Sequence, residues 1–150
     1  MLRPMFLAAV SATVLLLAPS SRVIAAPPVR PCAKGCEAMR NMRGPAFEPK
    51  TVETLEGEIV DVTRMEHGKG IVGVHIMLKT DKESVEVHLG PACFVDNLDL
   101  KVAKGDRATV KGSRVKTMRG PAVLTQEITT NGKTTTLRTA DGAPAWGMCQ

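Results

Sequence analysis

The chain has 150 residues, 43% hydrophobic and 23% charged, with a formal charge of +5. That length suits one small domain, and that balance excludes a chain disordered throughout. Aromatic residues make up 3% with no tyrosine, which argues against stacked bases or an aromatic cage, and the basic excess is too small to mark a nucleic-acid partner.

In chain order, the first segment is a targeting signal. Arg3 supplies a positive start, Phe6 to Ala18 is almost wholly apolar, and Val23-Ile24-Ala25 offers a small-residue cleavage site. Residues 1–25 are therefore a predicted signal peptide, with an uncleaved membrane anchor as the alternative. The apolar run is shorter than the about 20 residues that span a bilayer. An exported protein is expected. All four cysteines, Cys32, Cys36, Cys93 and Cys149, follow this segment. In an oxidising compartment they allow three pairings, among which the sequence does not choose.

Residues 26–50 carry Pro27, Pro28, Pro31, Pro45 and Pro49 and read as an extended leader. Within it, Cys32, Cys36, Met39 and Met42 are spaced three and four apart. On a helix their sulfurs would share one stripe, a soft donor set suited to copper(I). A local disulfide, or incidental sulfurs in an unstructured segment, is the alternative. The spacing is neither the Cys-x2-Cys of a thioredoxin-type site nor the Cys-x2-Cys-His of covalent haem.

Residues 51–139 form the predicted domain and 140–150 its tail. Val52 to Arg64 is a long strand whose apolar phase slips after Ile59, which predicts a bulge near Gly57. Val72 to Leu78 and Val85 to Leu89 alternate cleanly, and Asp81-Lys82 joins them as a hairpin. Ala92 to Leu100 is a short helical connection. Strands follow at Ala108 to Val115 and at Ala122 to Thr130, and Asn131-Gly132 turns the chain into a last strand at Lys133 to Arg138. The pattern predicts an all-β fold: a small OB-fold-like five-stranded Greek-key barrel, with a short helix between strands 3 and 4 and an extra C-terminal hairpin arm. An open β-sandwich is the alternative. Phe47, Phe94 and Trp146 fall outside the predicted strands, so Val, Ile, Leu and Ala are expected to fill the barrel and Trp146 to cover its open end.

The chemistry follows from the second hairpin. If Thr80 faces Glu83 across the turn, the ladder sets His75 opposite His88 on the face away from Val74, Ile76, Val85 and Val87. Directly opposed residues have Cβ atoms roughly 4.5–5.5 Å apart. Two imidazoles at that separation can share a metal, and Cys93, just beyond the strand, is a candidate third ligand. A polar cross-strand pair on the outer face is the plain alternative, and a Cys93–Cys149 disulfide is the alternative for the cysteine. No phosphate loop, nucleophile elbow or metalloprotease helix is present, so a non-enzymatic protein is expected.

The stretch Phe47-Glu48-Pro49-Lys50-Thr51-Val52-Glu53-Thr54 with Gly57-Glu58-Ile59-Val60 resembles a known family. So do Gly73-Val74-His75-Ile76, Val87-His88-Leu89-Gly90-Pro91-Ala92, Gly105-Asp106 and Val110-Lys111-Gly112-Ser113-Arg114. Together they resemble the domain of the MamS/MamX magnetosome proteins. Lacking a haem motif, the chain is more similar to the MamS type. The resemblance implies a non-enzymatic role in magnetite crystal growth, at the magnetosome lumen or membrane or in the periplasm, with other magnetosome or membrane proteins as partners. With that resemblance, the metal expected at these ligands is iron or copper. Two other functions remain open: an interaction module that binds a partner through its hairpin edge, and a thiol redox protein using Cys32 and Cys36.

Overall fold

The computed structural model describes residues 45–68 and 70–146. The predicted signal peptide, the leader sulfurs Cys32, Cys36, Met39 and Met42, and Cys149 all lie outside the described residues. Six strands follow in order: β1 (Val52–Glu66), β2 (Val72–Lys79), β3 (Ser84–Pro91), β4 (Arg107–Thr117), β5 (Gly120–Thr130) and β6 (Lys133–Thr136), with one helical turn, α1 (Ala92–Val95), between β3 and β4. No helix among the described residues is long and apolar enough to cross a membrane.

The strands hydrogen-bond in the order β3-β2-β1-β4-β5-β6, and β3 closes onto β5. That closure is parallel, with Val87 opposite Val123 and His88 opposite Leu124. The first five strands thus form the closed Greek-key barrel that alternation predicts. The long first strand serves both sides: Val52–Glu58 pairs with β4 and Glu58–Glu66 with β2. Its bulge falls between Ile59 and Asp61 rather than beside Gly57. Gly57 has a different role, because a Cβ there would lie 2.3 Å from the Lys79 carbonyl oxygen. The backbones of β1 and β2 approach too closely for a side chain.

The interior holds Ile59, Ile76, Leu78, Val85, Val87, Leu89, Val110, Val123 and Ile128, all essentially without solvent contact. The expectation of a purely aliphatic filling needs correction. Phe94 is 2% exposed and is the largest fully buried side chain. It lies outside the strands, but α1 turns it inward, and Trp146 packs on it with ring centroids 5.3 Å apart. The predicted helical connection shortens to α1 followed by turns, with Asp96 N–H bonded to the Ala92 carbonyl.

The C-terminal arm is the far end of β5 with β6, joined by Asn131 and Gly132 in left-handed conformations (φ 51° and 75°) as an Asn-Gly turn requires. The free edge of this hairpin is shorter than its span from Ala122 to Arg138. Ala122–Leu124 closes the barrel against β3, which leaves the four residues of β6 as the open edge of the arm.

Candidate metal centre

His75 on β2 and His88 on β3 are direct partners, as the hairpin turn dictates. The ladder does slip, but between Val74 and His75, with Leu89 as the extra residue on β3. The slip falls beyond the pair and leaves it intact. The imidazole centroids are 4.1 Å apart. Both rings point away from the core, yet His75 is 4% exposed. Cover comes from the segments that flank the barrel: Pro45 and Phe47 before it, Pro144 and Trp146 after it, and the β1–β2 loop all line one cavity of about 340 Å³ over the pair.

Two further residues complete the cluster. Glu86 sits two positions before His88, so the pleat puts it on the same face. Its Oε1 lies 2.7 Å from His75 Nδ1 and 3.5 Å from His88 Nε2. His67, in the β1–β2 loop, brings its Nε2 to 3.0 Å from His75 Nε2. The three histidines of the chain thus gather at one place. The tautomers follow from the partners. A carboxylate only accepts, so His75 Nδ1–H donates to Glu86, and the bare Nε2 of neutral His75 accepts from His67 Nε2–H. His88 Nε2 is buried with no hydrogen-bond partner.

Burial pushes the His88 imidazole down to about 4, helped by the neighbouring His75 and opposed by Glu86. Burial likewise lowers His75, against the raising effect of its Glu86 bond. Burial would raise the Glu86 carboxyl, but the His75 bond and the positive field of His88, Arg119 and His75 outweigh it and hold it below its ordinary value. Arg119 is the permanent cation among these, its Nη2 3.2 Å from Glu86 Oε1. At neutral pH the cluster is therefore two neutral imidazoles and a carboxylate, the protonation state that binds metal.

One ligand atom each from His75, Glu86 and His88 lies within 4.8 Å of the others. Ligands at 2.0–2.2 Å around a tetrahedral ion are about 3.3 Å apart, and the separations of 2.7 Å and 3.5 Å to Glu86 Oε1 bracket that value. An ion taken by His75 Nδ1 would leave the His75 proton on Nε2, and His67, with its own proton shifted from Nε2 to Nδ1, would accept it. The outer partner of a metal-bound imidazole is thus already in place.

Cys93 is not one of the three: it is exposed on α1, and the residues whose ligand atoms converge are His75, Glu86 and His88. Alternation could have found Glu86, which shares its strand face with His88. His67 carried no such signal, because its contact depends on Gly73. A Cβ at Gly73 would lie 2.7 Å from His67 Nε2 and 2.9 Å from His75 Nε2. The Gly73→Ala variant is expected to displace His67 and, by removing its lowering influence, to raise the His75 pKa. Side-chain NMR titration of the histidines reads this, and an unchanged His75 would contradict it.

Residues 51–135 match the model of the MamS/MamX magnetosome protein family. No curated protein matches the chain.

Proposed function

Because the chain belongs to the MamS/MamX magnetosome protein family, we propose that it is a non-enzymatic accessory of magnetite crystal growth that holds an iron ion at His75, Glu86 and His88. It would act at the magnetosome membrane or lumen, beside other magnetosome proteins. The observation that carries the reading is the convergence of three donor atoms around an imidazole nitrogen that is buried and unpaired. A buried polar atom without a partner costs about 1–3 kcal/mol, and a bound cation removes that cost. Two imidazoles and a carboxylate form a borderline-to-hard set, one that non-haem iron(II) sites use. With no sulfur among its three donors, the set does not favour copper(I). Copper(II) would compete on affinity alone, so the selection of iron falls to the supply within the compartment.

Thermal unfolding of the full chain under anaerobic conditions tests this. Iron(II) at a hundredfold excess over its dissociation constant stabilises by about 2.7 kcal/mol, and the His88→Ala variant should lose that gain. If iron, copper and zinc all leave the transition unmoved, the metal reading falls.

A further inference from the structure

The cavity above the histidines has a second chemical feature, Arg138. Gln126 is the extra residue where the β4–β5 ladder slips between Lys111 and Gly112. Its bulged carbonyl accepts the N–H groups of both Leu137 and Arg138, at 2.7 and 3.1 Å. This double anchor turns Arg138 inward, where it is 8% exposed. Its Nη1 donates to the Thr125 carbonyl at 2.5 Å, and its guanidinium lies 4.5 Å from the centre of the Trp146 ring. No carboxylate among the described residues forms an ion pair with it.

A buried cation without a counter-charge costs several kcal/mol. Thr125 accepts from one of the guanidinium's five donors and the Trp146 ring lies beside it, which offset part of that cost. Burial lowers the group to about 10, so it stays charged at neutral pH. It lines the same cavity of about 340 Å³, whose described wall holds three histidines, this arginine and no acidic residue. That volume is at the lower end of small-ligand sites. Beside the histidines, the wall holds the apolar side chains Ile71, Leu124, Phe47 and Trp146.

We propose that this cavity binds a small organic carboxylate, its two oxygens on the Arg138 guanidinium and its apolar body against Leu124, Ile71 and Trp146. The planar fork of arginine matches a carboxylate with two parallel bonds. The apolar wall favours a carboxylate with a hydrocarbon body over an inorganic oxyanion, which would leave its other oxygens unpaired against Leu124 and Ile71. The site rests on Arg138 and the cavity wall and stands without the metal reading.

Trp146 is the chain's one tryptophan and touches Arg138, so its fluorescence reports the site. The experiment titrates the full chain, freed of metal with a neutral chelator that is then removed, with butyrate, butyramide and inorganic phosphate. Butyrate should give a saturable emission change with a dissociation constant on the order of millimolar, as suits so small a ligand. Butyramide should give none and phosphate a weaker one. Arg138→Met should weaken butyrate at least tenfold, and Arg138→Lys should weaken it less. The Arg138 Nε–H resonance of the unaltered protein, which needs no variant to fold, should shift along the same isotherm. No saturable change, equal binding by Arg138→Met, an equal or stronger phosphate response, or an unmoved Nε–H resonance would each overturn the proposal.

Discussion

Acidification through the window between the ordinary histidine pKa of 6.5 and the value of about 4 at His88 is expected to remove ~3 kcal/mol of folding stability. Across that window the unfolded chain binds a proton at residue 88 and the folded chain does not. The unfolded state therefore gains as pH falls, and stability is complete above 6.5. His75 is lowered too and adds to the slope in the same direction, while Glu86, held below its ordinary value, adds its share at lower pH. The groups that face His88 are His75, Glu86, His67 and Arg138, and all but Glu86 disfavour its charged form. Unfolding in urea, followed by Trp146 fluorescence at a series of pH values in metal-free buffer, reads the effect. The His88→Leu variant should show a shallower pH dependence. Equal slopes in the two proteins would contradict the burial of a neutral imidazole.

Truncating Phe94 to alanine should cost about 3–5 kcal/mol, the range for emptying a buried aromatic site. Small domains have total stabilities of about 5–15 kcal/mol, so this one change takes a large share. The reason is local. Phe94 is 2% exposed, it is the aromatic among the core residues, and Trp146 rests on it. The short α1 cannot close the gap, because Pro91 and the Asp96 N–H bond to Ala92 fix its two ends. Calorimetric or urea unfolding measures the loss. A cost below about 1 kcal/mol would mean that the barrel end collapses onto the cavity, which this packing does not permit.

The barrel was legible because a period of two repeats through Val72–Leu78, Val85–Leu89 and Ala122–Thr130, and because turn chemistry at Asp81-Lys82 and Asn131-Gly132 fixes the registers. The same logic delivered His75 opposite His88. Glu86 was within reach of that logic, as a strand neighbour of His88 on the same face. The remainder depended on events that periodicity does not encode. The His67 contact exists because Gly73 has no Cβ. Arg138 turns inward because Gln126 bulges out of the ladder. Phe94 is buried because a four-residue helix aims it at the barrel end. The low aromatic content thus conceals a concentration: Phe94 and Trp146 meet each other, and Phe47 and Trp146 line the cavity over the histidines.

Equilibrium dialysis of the full chain against iron(II) under strictly anaerobic conditions tests the metal centre most directly. The predicted result is one ion per chain at neutral pH, released as the medium is acidified and lost in the His75→Ala/His88→Ala variant, which leaves every sulfur in place. Absence of bound iron, or an ion held with equal affinity by that variant, would contradict a centre built from His75, Glu86 and His88.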